Sequence, residues 1–260
     1  MQKENEKFED STLFEGLTSI RALIEAHQGK NVLNDRRILR LLYAEESEQK
    51  LTKELGWLRH RAEDEGFPVT PLSADKIAAM TTGNTHGGLV AECGGRTLPS
   101  LSSAITSLPK NGFYAMLAGI EDPYNFGYAL RSLYALGVDG VVLGERNWFS
   151  AAGVLARASA GASELLPIYT AEECEAADLF KAHGYRVISA DTRTDCDLPD
   201  ADLTYPIFLV VGGEKRGISR KLLEKCDLSV RIPYGRDFSA SLSAASAATI
   251  LGYEIRRQNR

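Results

Sequence analysis

Asn125, Gly127 and Arg131 share one short segment, Glu121 to Arg131, in which a turn-forming amide, a residue without a side chain and a guanidinium follow at near-helical spacing. On a helix Arg131 stands one turn beyond Gly127, so its guanidinium reaches back toward the helix N-terminus, a place that favours anions. Asn125 holds the turn or caps the helix. A second segment, Val210-Val211-Gly212-Gly213-Glu214-Lys215-Arg216-Gly217-Ile218-Ser219, sets a glycine turn that a ligand can approach closely beside one carboxylate and two cations. It lacks the lysine and hydroxyl that a phosphate-binding loop places after its last glycine, because Ile218 and Ser219 stand there. Nucleotide triphosphatase chemistry is thereby disfavoured, and no strand is followed by GxGxxG, the signature of a dinucleotide oxidoreductase. A third segment runs from Arg231-Ile232-Pro233-Tyr234-Gly235 through Arg236-Asp237-Phe238 to Ser239-Ala240-Ser241-Leu242-Ser243. Pro233 ends a strand, and the serines supply caps and exposed amides ahead of a helix. Each segment taken singly also reads as an ordinary capped helix or strand-end turn with solvated charges.

To act together, these segments need a scaffold that sets strand ends side by side. The apolar runs Phe113 to Ile120, Gly140 to Leu143, Tyr185 to Ala190 and Ile207 to Val211 suit buried parallel strands. Helical patterns separate them at Phe126 to Leu136, Ala151 to Ala158, Ala171 to His183 and Ile218 to Cys226. This alternation predicts an α/β unit with an open parallel sheet covered on both faces, whose ligands sit beyond the carboxyl ends of the strands. A final helix from about Ser239 to Gln258 carries Ser243 to Ala248, a run of small residues that lets another backbone come close. Ahead of this unit lies a smaller α/β region. It contains a helix from Leu13 to Ala26 with Thr12 to Glu15 as a capping box, a strand Arg37 to Tyr43 and a helix Gln49 to Glu65. A strand Phe67 to Leu72, a helix from Ser73 to Met80 and a strand Gly88 to Cys93 complete it. The glycine-, serine- and proline-rich stretch between Gly94 and Gly112 predicts a linker, giving a small domain at 1–94, a linker at 95–112 and a second domain at 113–260.

The 260 residues, 44% hydrophobic and 25% charged, have the composition of a globular chain rather than a disordered or coiled-coil one. No apolar run reaches the ~18 to 20 residues needed to cross a bilayer and the first ten residues are polar, so a cytoplasmic protein is the default expectation. The cysteines Cys93, Cys174, Cys196 and Cys226 form no CxxC and the four histidines show no ligand spacing, so no metal site is expected. A net charge of −5 argues against a protein that coats nucleic acid indiscriminately, but it leaves room for a local basic face. Candidates for such a face are Arg36, Arg37, Arg40, Arg131, Arg157, Lys215, Arg216, Arg220, Lys221, Arg231 and Arg236.

Taken in order, Asn-x-Gly-x-x-x-Arg, then Gly-Gly-Glu-x-x-Gly-Ile-Ser, then Ile-Pro followed by Ser-Leu and a small-residue helix resemble the three motifs of the SpoU (TrmH-type) RNA 2′-O-ribose methyltransferases of the SPOUT superfamily. The resemblance runs from about Gly112 to the C-terminus. It includes Arg157 to Glu164, which looks like the family's segment between its first two motifs. The stretches Ile20 to Ala26 and His86 to Ala91 are similar to the small substrate-binding domain that precedes many members.

The resemblance implies a C-terminal parallel-sheet domain with a deep trefoil knot, an exception to the rule that chains avoid threading. It implies S-adenosylmethionine as cofactor, held by Gly212, Gly213, Ile232 and Leu242, and structured rRNA or tRNA as the partner, modified at a ribose 2′-hydroxyl by a homodimer. The catalytic set it implies is Arg131, Asn125, Glu214, Ser241 and Ser243. A guanidinium holds its proton firmly, so Arg131 is expected to clamp a neighbouring phosphate and stabilise developing alkoxide charge, with Asn125 and Glu214 holding it in place. One departure stands out. Ser241-Leu242-Ser243 replaces the family's usual Ser-Leu-Asn, and the loop between Ile232 and Leu242 is one residue longer than is common. A serine hydroxyl cannot duplicate an amide's paired donor and acceptor. An RNA-binding assembly factor or pseudoenzyme that keeps the pocket without turnover is therefore the alternative expectation, and a small-molecule nucleotide enzyme is the third.

Overall fold

The first apolar stretch divides at Gly16, whose φ of +79° no helix interior tolerates. In the computed structural model, which describes residues 12–82, 85–144, 151–213 and 217–260, Thr12–Glu15 is strand β1 and Gly16–Glu25 is helix α1. The expected single helix with a capping box is thus corrected: Leu13 and Phe14 belong to a strand. The chain then forms β2 (Ile38–Ala44), α2 (Thr52–Glu65), β3 (Val69–Leu72), α3 (Ala74–Met80) and β4 (Leu89–Cys93). These strands make a mixed sheet in the order β1-β4-β2-β3, with β4 antiparallel to both neighbours and β2 parallel to β3. Its core gathers Phe14, Ile20, Leu23 and Leu41 with Leu55 and Leu58 of α2.

By contact, the described chain falls into two compact units, and their boundaries depart from the expected ones. The first unit holds the described residues up to Thr97 together with residues 151–165, which form α6 (Ala152–Ala158) and α7 (Ala162–Leu165). Ala152 and Ala156 enter the same core as Phe14. A Cβ on Gly153 would come within 2.0 Å of the Leu13 carbonyl oxygen, so only glycine lets α6 lie this close to β1. Arg36, expected on a basic face, is instead buried: its Nε donates to Glu164 at 3.0 Å, and Nη1 donates to the Gly94 carbonyl. Asn34 also donates to the Glu164 carboxylate, at 2.9 Å.

The second unit begins at Leu98, not beyond Gly112. Leu101, Ile105 and Leu108 are buried, and the short helix α4 (Leu101–Ala104) is capped by Ser100, whose hydroxyl accepts from the Ser103 amide. Most of the expected linker is therefore folded chain, because its apolar residues recur at helical spacing among the glycines and serines. The unit continues with β5 (Phe113–Ala118), α5 (Pro123–Ala135), β6 (Gly140–Leu143), β7 (Ile168–Thr170), α8 (Glu173–Ala182) and β8 (Arg186–Ala190). It ends with β9 (Ile207–Gly212), α9 (Arg220–Leu223), β10 (Leu228–Val230) and α10 (Ala244–Gln258). All six strands are parallel, in the order β10-β8-β9-β5-β6-β7. Their near-continuous burial fits a sheet covered on both faces. Among the described residues no helix is long and apolar enough to cross a membrane.

Candidate functional site

At the carboxyl ends of β8, β9 and β10 the chain leaves the sheet in three successive loops, and these enclose a cavity of about 320 Å³. The end of β9 fixes its floor. Gly213 donates its amide to the Ala118 carbonyl at 2.7 Å, and Gly217 donates back to the Gly213 carbonyl at 2.9 Å, so the turn folds onto the end of β5. This approach leaves no space for side chains. A Cβ on Gly213 would stand 2.3 Å from the Gly119 oxygen, and one on Gly212 would stand 2.7 Å from the Gly217 carbonyl carbon.

Val211, Ile218, Ile232, Leu242, Ala244 and Ala247 give the cavity an apolar bed. Its polar rim comes from the loop after β8, as Asp191, Thr192 and Arg193, and from Tyr234 and Ser241. Asp191 accepts from Arg193 through both carboxylate oxygens, at 3.0 and 2.9 Å. That bond holds its carboxyl below the usual carboxylate range. Arg231, also at the rim, donates its Nε to Asp197. The loop from Ile232 to Ser243 is closed near its two ends by Tyr234, whose hydroxyl accepts the Leu242 amide at 3.1 Å. A second cavity, of about 410 Å³, is lined by the same loop; it shares Thr192, Arg231, Ile232, Tyr234 and Ser241 with the first and adds Phe238 and Ser239.

The expected cofactor-binding residues Gly212, Gly213, Ile232 and Leu242 all line the first cavity, as does Ser241. Ser243 lies just beyond it and caps α10, its Oγ accepting the Ser246 amide at 3.1 Å and lying 3.0 Å from Ser246 Oγ. The last helix thus starts at Ala244, and the serines from 239 to 241, expected inside it, form loop and cavity wall. Small residues serve a further purpose here. Gly252 faces Leu133 and Leu136, and the Thr249 hydroxyl lies 2.7 Å from Ser132 Oγ, so α10 packs along α5.

Asn125 and Arg131 lie on α5 and do not line either cavity. The cap of α5 is Asp122, whose carboxylate accepts the Tyr124 and Asn125 amides at 3.2 Å each, with Pro123 pre-set for the first turn. Asn125 sits within that turn and is not the cap. Arg131 is exposed, and among the described residues it enters no ion pair. Glu214, with Lys215 and Arg216, lies outside the described residues. Of the remaining cations expected on a basic face, Arg40, Arg157 and Arg220 pair with Glu92, Glu15 and Glu224. Arg37, Lys221 and Arg236 are exposed. Asp191 and Arg193 were not expected at the site. The signal for them was their place directly after a buried strand.

A family model described as the SpoU rRNA Methylase family matches residues 112–253. The chain is 29% identical over 239 residues to a Bacillus subtilis (strain 168) protein named as a TrmH family tRNA/rRNA methyltransferase, YacO, with 88% of this chain and 94% of that one covered. It is 31% identical over 220 residues to a Mycobacterium ulcerans (strain Agy99) protein named as a tRNA/rRNA methyltransferase, covering 83% of this chain and 69% of the relative. Among solved structures, an AdoMet-bound rRNA methyltransferase from Sinorhizobium meliloti superposes with a TM-score of 0.75 at 23% identity, covering 95% of this chain and 87% of that one. AviRb, a SpoU methyltransferase of Streptomyces viridochromogenes solved with AdoMet, gives the same score and identity over 95% of this chain and 90% of its own. At that identity the likeness establishes the fold.

Proposed function

The chain belongs to the SpoU rRNA methylase family, and from that premise we propose that it transfers a methyl group from S-adenosylmethionine to a ribose 2′-hydroxyl of a structured rRNA or tRNA. The observation that carries the reading is the cavity at the ends of β8, β9 and β10, where Gly212, Gly213, Ile232 and Leu242 meet. Its residues suit the cofactor: an apolar bed for a purine, backbone groups brought close by glycines, and a polar rim for a sugar and an amino acid. Bound there, the cofactor supplies a methyl group made electrophilic by a sulfonium.

The chain itself must align the acceptor and manage its proton. Arg131, exposed on α5 and unpaired among the described residues, is assigned to clamp the phosphate beside the target ribose and to stabilise the oxygen as it sheds its proton. Asn125, six residues earlier on α5, and Glu214 are assigned to hold that arginine. Ser241, on the cavity wall, is assigned to contact the donor end. Ser243 is assigned to the catalytic set by its place in the same loop, although its hydroxyl is engaged in the cap of α10. The same engagement is what favours the alternative, a fold that binds cofactor and RNA without turnover.

The trefoil knot belongs to this proposal; membership of the family supports it. A homodimer belongs to it as well. Tyr128 and Tyr134 of α5 and Ile250 and Tyr253 of α10 are exposed large side chains on two helices that pack together, a face suited to a second copy. A small first unit that helps choose the RNA, and a cytoplasmic setting, complete the reading. Tritium transfer from labelled S-adenosylmethionine to total cellular RNA, with Arg131→Ala as control, tests it. Label in ribose 2′-O-methyl nucleotides that Arg131→Ala abolishes supports an enzyme; cofactor binding without label on any RNA supports the binding module.

A further inference from the structure

We infer that the Asp191 carboxylate is the group that reads the ribose hydroxyls of the adenosyl ligand, making this cavity selective for a ribonucleoside; the inference rests on the cofactor reading above. Asp191 is the only carboxylate among the described residues that line the cavity. Its position is fixed from both sides. Its amide donates to the Val230 carbonyl at 3.0 Å, tying the end of β8 to that of β10. Its Oδ1 accepts the Arg193 amide and Nε, each at 3.0 Å, while Oδ2 accepts Nη2 at 2.9 Å.

Those contacts decide what the carboxylate can still do. Oδ1 already takes two donors, so both of its lone pairs are used, whereas Oδ2 takes one and keeps one. The side chain is 16% exposed and borders an apolar bed, where an unbonded charge is costly. Arg193, 74% exposed and itself at the rim, supplies the counter-charge. What remains is one acceptor position at the rim of the cavity, open to a ligand donor. The ring nitrogens of adenine are acceptors and gain nothing there; a donor, such as a sugar hydroxyl, does. An acidic side chain after a strand performs the same task on ribose in dinucleotide-binding sheets, on different geometry. The other cation at the rim, Arg231, donates its Nε to Asp197.

Two other donors could meet Oδ2, the 6-amino group of adenine and the ammonium of the ligand's amino-acid portion, and a ligand series separates the ribose hydroxyls from both without any variant. Binding of S-adenosylhomocysteine, its 2′-deoxy and 3′-deoxy analogues, and 5′-methylthioadenosine is measured by calorimetry on the full chain. Removal of the hydroxyl that faces Asp191 is expected to weaken binding by about tenfold to a hundredfold, the range for a hydrogen bond to a charged group. Asp191→Ala, which removes the acceptor, is checked for an unchanged melting profile and is expected to bind the ribo and deoxy ligands within about twofold of each other. Discrimination that survives in Asp191→Ala overturns the inference, as do deoxy analogues that bind the unaltered chain as well as the parent. So does a loss confined to 5′-methylthioadenosine, which assigns Oδ2 to the ammonium. If S-adenosylhomocysteine and all its analogues fail to bind the unaltered chain, the cofactor reading itself has failed.

Discussion

A single carbon added at Gly213 is expected to separate two loops that the cavity holds in contact. In Gly213→Ala the new Cβ would lie 2.3 Å from the Gly119 oxygen, 2.6 Å from the Gly119 carbonyl carbon and 3.1 Å from the Ile120 nitrogen. All three are backbone atoms, so no rotamer change relieves the overlap, and the turn must withdraw by roughly 1 Å to reach ordinary contact. The 2.7 Å bond from the Gly213 amide to Ala118 is stretched in the same movement. Overpacking of this kind costs about 1–3 kcal/mol of stability. A displacement of roughly 1 Å at a positioning element lowers turnover by about a hundredfold. Calorimetric titration with S-adenosylhomocysteine should show binding weakened by about tenfold or more, the loss of roughly one hydrogen bond at the displaced turn, and single-turnover methyl transfer should fall further. Gly144→Ala is the control: Gly144 follows β6 in the same unit and a Cβ there has open space, so affinity and rate should match the unaltered chain. The reasoning is refuted if Gly213→Ala binds S-adenosylhomocysteine as tightly as Gly144→Ala does.

Glu164→Gln leaves Arg36 in the interior without its carboxylate; with side chains 4% and 3% exposed, the pair should cost about 3–5 kcal/mol to break, read by denaturant unfolding, and Arg36→Met/Glu164→Met should recover most of the loss. Arg131→Ala should lower the rate of methyl transfer by about a hundredfold or more while leaving S-adenosylhomocysteine affinity within about twofold, because Arg131 lies off the cavity wall; Arg131→Lys should rescue only part of the rate. Ser243→Ala should cost about 1 kcal/mol by removing the cap of α10, whereas Ser243→Asn should keep the melting temperature, since asparagine caps as well as serine. Burial pushes the Tyr185 hydroxyl up to about 12, so the folded chain binds that proton more tightly than the unfolded one. Its contribution to stability is full below the ordinary tyrosine value of about 10 and fades as pH rises toward 12; Tyr185→Phe, which also loses the 2.7 Å bond to the Pro109 carbonyl, should flatten alkaline unfolding over that window.

The parallel strands were legible because a strand buried on both faces is written as an uninterrupted apolar run, as in Phe113–Ala118 and Ile207–Gly212. The glycines at 212 and 213 were legible for a related reason: a turn against another backbone excludes every other residue type. What escaped the sequence has a common cause, namely that its meaning depends on a partner far along the chain. Arg36 looks like any surface cation until Glu164, 128 residues away, meets it in the interior. Asp191 and Arg193 look like solvated charges in a polar loop until β10 and the turn after β9 close around them. Leu13 and Phe14 fit a helical stripe until Ala91 and Glu92 offer a strand edge in register. Asn125 and Asp122 are equally good caps on paper. Pro123 settles the choice, because it takes the first helical position and leaves Asp122 as the residue before it.

The same dependence on distant partners explains why Arg157 to Glu164, which look like the segment between the first two motifs, help residues 151–165 hold the first unit together. A Cβ on Gly161 would lie 2.2 Å from the Ala22 Cβ, as one on Gly153 would meet Leu13, so two glycines set this excursion hard against β1 and α1. Arg157 then pairs with Glu15 at 2.7 Å and Glu164 with Arg36 at 3.0 Å, one contact near the middle of the excursion and one at its end. The first unit is therefore not a contiguous piece of chain. Residues 12–97 alone would present part of the core of Phe14 and Ile20 without Ala152 and Ala156, and would carry a guanidinium whose carboxylate had been left behind. Closing so long a loop costs entropy that grows only slowly with length, whereas an unpaired buried charge costs several kcal/mol, so the fold gains by waiting for the later segment. Sequence features near Arg157 and Glu164 are accounted for by this closure before any role at the cavity is invoked.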